Sequence, residues 1–166
     1  MMQLISVSIG SNIERDYHIR ACLTALNTTF HNLRISRVYE SEPVGFEDGR
    51  NFYNLVATFE SDWSVAELQA WCKRIEYEHG RQPNTPKFSP RKLDIDLLTV
   101  GSLVGSIDGV KLPRDEILHH AFVLRPLAEL LPEASHPVDG RRYADLWSCF
   151  NPGTQRLWPV AFDWQP

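Results

Sequence analysis

Hydrophobic positions along the chain fall into four short clusters and two longer stretches with helical spacing. The short clusters are typical of strands, because apolar side chains alternate or run together between turn residues. They predict strands over residues 3–9, 33–40, 52–59 and 93–98. In the middle of the cluster at 52–59, both odd and even positions are apolar, so both strand faces would be buried. This favours a central position in a sheet.

Two helices are predicted between these strands. In residues 15–30 one apolar face repeats about every turn, at Ile19, Leu23, Leu26 and Phe30. The second helix, residues 64–79, begins at Ser64 with Glu67 three residues later, which is a capping box. Gly80 is a typical stop residue. The order β-α-β-β-α-β, with one apolar stripe on each helix, predicts an α+β, ferredoxin-like sandwich of an antiparallel sheet and packed helices.

The remaining segments predict extra C-terminal elements. Residues 101–109 are typical of a small hairpin or turn, and residues 143–150 of a short helix. A helix over residues 124–131 would place Pro126 in its first turn, where proline is tolerated. Residues 151–166 are rich in Trp and Pro and show no clear periodicity. With no linker or repeat in view, all 166 residues are predicted to form one domain.

Composition narrows the function classes. The net charge of −4 argues against a general nucleic-acid binder. No apolar run approaches the roughly 20 residues that span a bilayer, and no signal peptide is visible. Cys22, Cys72 and Cys149 have neither disulfide nor zinc spacing, and the first two fall in predicted helices as buried thiols. A cytoplasmic protein that binds small molecules is expected.

The most informative chemistry lies in residues 87–98, a polar loop followed by an apolar strand. Asp94 and Asp96 are two residues apart, so they share one strand face at a separation of about 6.5 Å. Two carboxylates at this spacing suit Mg²⁺, which prefers oxygen ligands and leaves positions for substrate phosphates. Arg91 is a fork-shaped donor for phosphate oxygens. The alternative is an ordinary solvated acidic face, which an Asp-x-Asp pair alone does not exclude.

Several blocks in order along the chain resemble one family. Pro90, Arg91, Leu93, Asp94 and Asp96 are similar to the signature of the 6-hydroxymethyl-7,8-dihydropterin pyrophosphokinases of folate biosynthesis. Further matching blocks lie at residues 9–12, 39–45, 52–54, 74–76 and 121–127. Together they extend from about residue 4 to residue 147, and their joint occurrence is far more specific than any one block. Residues 151–166 match no part of the pattern.

The resemblance implies transfer of a pyrophosphoryl group from ATP to the hydroxymethyl group of the dihydropterin, with release of AMP. Asp94 and Asp96 would hold two Mg²⁺ ions, and Arg81 and Arg91 would contact phosphates as further catalytic residues. ATP would also contact a second set of residues: Lys73, Glu76, Arg91, Leu97, Lys111 and Arg114. Such a reaction depends on positioning and charge neutralisation.

The resemblance also implies a pterin site. Phe52 and Phe122 would stack on the two faces of the ring, and Asn54 would hydrogen-bond its edge. The loop that frames the pterin through its main chain would consist of Ser41, Glu42, Pro43 and Val44. Taken alone, phenylalanines in such segments are more often core residues.

Positions on the ATP side depart from the family pattern. Pro83 and Gly109 stand where arginines are expected, Phe88 where a tryptophan is usual, Arg114 where a histidine is frequent, and His120 where an arginine often occurs. Two functions therefore remain open: an active pyrophosphokinase, or a paralogue that binds a pterin with slow or lost catalysis. RNA binding by the sheet is disfavoured, because the basic-aromatic strand motif is missing. The expected partners are ATP and a pterin, with no nucleic acid or membrane, and a monomer.

Overall fold

The computed structural model describes residues 1–43, 50–80 and 92–166. Its elements in chain order are β1 (Gln3–Ser11), α1 (Arg15–Thr29), β2 (His31–Ile35), β3 (Val38–Ser41), β4 (Phe52–Ser61), α2 (Val65–Glu78), β5 (Asp94–Val100), β6 (Gly105–Ile107), β7 (Val110–Leu112), α3 (Glu116–His119), α4 (Ala121–Leu130), α5 (Tyr143–Cys149) and β8 (Leu157–Val160).

The main sheet has the strand order β5-β1-β4-β3-β8, and β2 also pairs with β4. Every pairing in it is antiparallel. The long central strands β1 and β4 pair from Gln3 with Ser61 to Ser11 with Tyr53. This arrangement confirms the predicted ferredoxin-like fold, including the central position of β4.

Helices cover both faces of the sheet. On one face, α1 and α2 bury the strand residues Ile5, Val7 and Ile9 together with their own apolar stripes. On the other face, α3, α4 and α5 enclose Val56 and Leu98. Cys22 and Cys72 are buried inside the first layer, as predicted. The first two helices thus form the ferredoxin-like layer, and the added C-terminal helices shape the opposite face.

The start of α2 follows its sequence signature. The Ser64 hydroxyl accepts a hydrogen bond from the Glu67 N–H at 3.2 Å, and the Glu67 carboxylate accepts one from the Ser64 N–H at 2.9 Å. This reciprocal pair is the predicted capping box. None of the helices in the described part of the chain is long and apolar enough to cross a bilayer.

The predicted single strand over residues 33–40 is wrong. The segment forms two strands, β2 and β3, that both pair with β4 on the same side. The break falls at Ser36, whose hydroxyl accepts a hydrogen bond from the Val56 N–H and donates one to the Arg37 carbonyl. A buried side chain that bonds its own backbone in this way replaces part of the strand ladder.

The helix predicted to begin at residue 124 begins at Ala121, so Pro126 lies inside α4 and not in its first turn. Burial explains the earlier start, since Ala121 and Val123 are only 1% and 2% exposed. Residues 151–166 also contain regular structure that no periodicity indicated. There β8 pairs with β3, from Val38 with Val160 to Ser41 with Leu157.

Candidate active site

Three carboxylates converge where β5 borders α2. Ligand oxygens of Glu76, Asp94 and Asp96 all lie within 4.8 Å of one another. Asp94 and Asp96 are half-buried on one face of β5, while Ile95 and Leu97 are buried on the other. The predicted division of this strand into an acidic and an apolar face is therefore confirmed.

Glu76 reaches the two aspartates from the neighbouring helix. It is 2% exposed, and its carboxylate accepts a hydrogen bond from the Ile95 N–H at 2.8 Å. This bond fixes the end of α2 against the strand that carries the aspartates. Glu76 follows Cys72 by four residues and therefore lies on the buried face of the helix. A buried acid at such a position indicates a hydrogen-bonding or ionic partner within the protein. The sequence interpretation assigned Glu76 to ATP and missed its place among the acids.

The electrostatics of the cluster are those of crowded acids. Burial and the nearby Asp94 carboxylate raise the pKa of Asp96 to about 7, and Arg114 opposes this rise. The Arg114 guanidinium lies 3.4 Å from Asp96 and 2.7 Å from Glu116. The three carboxylates therefore carry more negative charge than Arg114 offsets, and the cluster favours a bound proton or an added cation.

The donor set fits Mg²⁺. All three candidate ligands are carboxylates, which are hard oxygen donors, and their oxygens are close enough together to share an ion. Asp94 and Asp96 would be the primary ligands, and Glu76 would support them while it holds the Ile95 amide. Sulfur or imidazole ligands, which favour zinc, are not part of this cluster.

The register of the sheet joins the acids to the predicted pterin residues. Gly10 in β1 pairs with Asn54 on one side and with Asp94 on the other. Asn54, Gly10 and Asp94 thus form a row across three strands, in which neighbours are about 4.8 Å apart. A methyl group on Gly10 would lie 2.8 Å from the side-chain oxygen of Asn54. The glycine therefore leaves the space that the Asn54 side chain occupies.

Most of the predicted pterin residues gather on the same face as this row. The Asn54 amide donates to the Ser41 hydroxyl at 2.8 Å. Phe52 is two residues from Asn54 in β4 and opposite Ser41 in the register, so it shares their face. Phe122 packs with the apolar layer of α4 that covers this face. Glu42 and Pro43 follow directly after β3, and Val44 lies outside the described residues.

The predicted ATP residues are less completely placed. Arg81 and Arg91 lie outside the described residues, as do Pro83 and Phe88. The Leu97 side chain is 1% exposed in the core, so only its main chain can contact a ligand. The Ile95 N–H points to Glu76 and away from β1. The main-chain N–H and C=O of Leu97, two residues further along β5, face the same way.

Three basic residues complete the predicted ATP side. Lys73 is exposed on α2 one turn before Glu76. Lys111 is exposed on β7 and pairs with Asp115 at 2.9 Å. Arg114, which departs from the family pattern, is the cation beside Asp96. The structure therefore brings Arg114 to the acid cluster, while Lys73 and Lys111 remain at the protein surface.

Clustered carboxylates beside an arginine on a ferredoxin-like sheet suit an α+β enzyme of metal-assisted phosphoryl transfer. Residues 6–132 match the family model described as 7,8-dihydro-6-hydroxymethylpterin-pyrophosphokinase. The chain belongs to this family. The resemblance found in the sequence is confirmed, and with it the predicted class of ATP-dependent pyrophosphokinase in folate biosynthesis. The comparisons give no support to a non-catalytic paralogue.

Individual relatives agree with this assignment. The 2-amino-4-hydroxy-6-hydroxymethyldihydropteridine pyrophosphokinase of Pseudomonas aeruginosa is 34% identical over 161 residues, which cover 95% of this chain and 98% of the relative. The enzyme of the same name from Aquifex aeolicus is 32% identical, over 82% of this chain and 86% of its own. The solved Plasmodium falciparum HPPK-DHPS with pteroate superposes with a TM-score of 0.71 over 89% of this chain. That likeness, at 13% identity and over 42% of the longer protein, concerns the fold alone.

Proposed function

We propose that the sheet face bearing Asn54, Gly10 and Asp94 is the active site, where 6-hydroxymethyl-7,8-dihydropterin receives the pyrophosphoryl group of ATP. The observation that carries this proposal is the register of β1, which pairs one residue with both the predicted pterin contact and a predicted metal ligand. The pterin edge and the acids are thus two strand spacings apart, about 10 Å, which the ring and its hydroxymethyl arm can span.

The pterin half of the site orients the acceptor. Ser41 and Asn54, already joined at 2.8 Å, present an amide carbonyl and a hydroxyl to the lactam-like edge of the ring. Phe52 and Phe122 stack on its two faces, and the main chain of Ser41, Glu42, Pro43 and Val44 frames it. Fixing the ring in this way directs the hydroxymethyl oxygen towards the acids, which lowers the entropic cost of the reaction.

The acid half of the site receives the triphosphate. Asp94 and Asp96 would hold two Mg²⁺ ions, and the bound ions would supply neutralisation of the phosphate charge. The hydroxymethyl oxygen releases its proton to solvent and bonds to the β-phosphorus, the bond from that phosphorus to the α,β-bridging oxygen breaks, and AMP leaves with the bridging oxygen. Arg81 and Arg91 bind the phosphates. Lys73, Glu76, Leu97, Lys111 and Arg114 complete the ATP side.

We further propose that all 166 residues act as one domain and as a monomer in a reducing cytoplasm. Buried Cys22 and Cys72 are compatible with that setting. The chain needs only small-molecule partners for this reaction, and its net charge of −4 disfavours nucleic acid. Size-exclusion chromatography with light scattering tests the monomer, since a mass near twice 19.1 kDa would contradict it.

The activity is tested by incubating the protein with ATP, Mg²⁺ and the hydroxymethyl-dihydropterin and measuring AMP. We expect AMP in stoichiometric amounts with the pterin diphosphate. Asp94→Asn should lower kcat by about a thousandfold, because several kcal/mol of charge stabilisation depend on the metal ligand. Asp62→Asn, which removes an exposed charge elsewhere, should leave turnover unchanged. Pterin binding without AMP above background would overturn the proposal.

A further inference from the structure

We infer that the C-terminal segment, residues 151–166, is part of the pterin site and that Gln155 is a positioning residue for Phe122. The inference rests on the pterin site proposed above. Three observations support it, and each concerns how this segment contacts an element that carries a pterin residue.

The first observation is the way α4 begins. His120 precedes the helix and provides no side-chain cap. The Ala121 N–H instead donates to the side-chain oxygen of Gln155 at 2.8 Å. Ala121 is 1% exposed, and the first amides of a helix have no partner within the helix. Gln155 therefore supplies, from 34 positions away, a hydrogen-bond partner for the first amide of the helix.

The second observation is that Gln155 holds both sides of this helix start. Its side-chain amide donates to the His119 carbonyl at 3.0 Å, while its oxygen accepts from Ala121. One planar group therefore fixes the backbone immediately before and after His120. Phe122 is the next residue along the helix, so the direction of its ring depends on this backbone geometry.

Gln155 is itself held in place by a tight turn. The Asn151 side chain accepts a hydrogen bond from the Gly153 N–H at 3.0 Å. The Gln155 N–H donates to the Pro152 carbonyl at 2.8 Å. Gly153 has a φ of 57°, a conformation that glycine adopts at little cost. The side chain of Gln155 is thus presented by an ordered turn.

The third observation is that the same segment continues into β8 and binds the opposite side of the site. In the register of β8 with β3, Leu157 lies opposite Ser41, which bonds Asn54. The Leu157 carbonyl also accepts a hydrogen bond from Arg125 of α4 at 3.4 Å. The segment therefore contacts both the helix that carries Phe122 and the strand that carries Ser41.

Gln155→Met tests the role of Gln155, since methionine has a similar length and neither hydrogen bond. We expect the KM for the pterin to rise at least about fivefold, which is the usual net contribution of one of the two lost hydrogen bonds. The KM for ATP should change by less than about twofold, because the acids are held by β5 and α2. Gln155→Glu keeps the acceptor for Ala121 but loses the bond to the His119 carbonyl, so its pterin KM should lie between those of wild type and Gln155→Met. Thr154→Ala, an exposed neighbour, is the matched control.

Two further measurements separate the possible failures. Phe122→Ala should raise the pterin KM more than tenfold; if it does not, the proposed pterin site is wrong. If Phe122→Ala has this effect and Gln155→Met does not, only the role of Gln155 is wrong. Equal rises in both KM values for Gln155→Met would show general loosening and would also overturn the inference. Amide exchange at Ala121 should be slow in wild type and Gln155→Glu and fast in Gln155→Met, and equal rates in all three would overturn it as well.

Discussion

Replacing Asp96 by asparagine is expected to stop turnover and, at the same time, to stabilise the folded protein. Burial and Asp94 raise the pKa of Asp96 from 3.8 to about 7. The folded protein therefore holds this proton more tightly than the unfolded chain does. Between these two pKa values the free energy of unfolding falls as the pH rises, and above about pH 7 the full destabilisation by the carboxylate is present.

The size of the gain follows from the site. A rise from 3.8 to about 7 corresponds to about 4 kcal/mol, at about 1.4 kcal/mol per pKa unit. The Asp96 side chain is 32% exposed, so solvent screens a large part of this energy. Arg114 keeps Glu116 as a partner at 2.7 Å after the substitution. We expect a gain in the free energy of unfolding of about 1–2 kcal/mol at about pH 8, or about 2–8 °C in Tm.

Thermal and urea unfolding of wild type and Asp96→Asn at about pH 8 and about pH 4 measure this gain. It should be only a small fraction of this size at the lower pH, because Asp96 stays protonated in the folded protein and is already partly protonated in the unfolded chain, whose pKa is 3.8. Added Mg²⁺ should raise the Tm of wild type at about pH 8, because it binds only the folded protein, and should have little effect on the variant. Asp62→Asn should change stability by less than about 0.5 kcal/mol. A variant that is less stable than wild type at about pH 8, or that still turns over, would contradict the role assigned to the Asp96 carboxylate.

Two other expectations concern His136 and Gly10. The buried His136 ring accepts main-chain hydrogen bonds from Val138 and Asp139 at 3.1 and 2.9 Å, and burial lowers its pKa. The unfolded chain then binds a proton that the folded protein does not, so wild type should lose stability as the pH falls below about 6.5. His136→Asn keeps an acceptor that does not titrate and should lose less between about pH 6.5 and 5 in urea titrations; an unchanged pH slope would contradict this role. Gly10→Ala should displace the Asn54 side chain, since the new methyl lies 2.8 Å from its oxygen, and raise the pterin KM about tenfold. An unchanged pterin KM would show that Asn54 does not contact the ring.

Local signals were sufficient for much of the fold. The capping box of Ser64 and Glu67 placed the start of α2, and alternation placed Asp94 and Asp96 on the face opposite Ile95. Each of these patterns depends only on neighbours in sequence. The helix start and the two strand faces could therefore be predicted from the sequence, without knowledge of any tertiary contact.

The features that the sequence did not predict all depend on contacts between residues that are distant in sequence. The strand break at Ser36 arises from a hydrogen bond with Val56, and the early start of α4 from burial against the sheet. The segment at 157–160 contains Pro159 and no alternation, so its strand form depends on the edge that β3 offers. No sequence pattern could indicate that Gln155 would bond the Ala121 amide.

The acid site was predicted in part for the same reason. Asp94 and Asp96 are neighbours on one strand, and their spacing alone gave their common direction. Glu76 joins them only because α2 packs beside β5 in a position that brings the Glu76 carboxylate to the Ile95 amide. The row of Asn54, Gly10 and Asp94 likewise depends on strand register, which the sequence left open.

The buried bond between Glu76 and Ile95 has a consequence for how this enzyme can vary. The inner face of α2, including Trp71 and Ile75, determines where Glu76 meets β5. A substitution there that leaves the protein folded can still displace the acids by a fraction of an ångström. Selection for slower turnover, or for resistance to an inhibitor at the acids, should therefore recover changes on a helix face that touches no substrate. The inner face of α2 is therefore constrained both by packing and by activity.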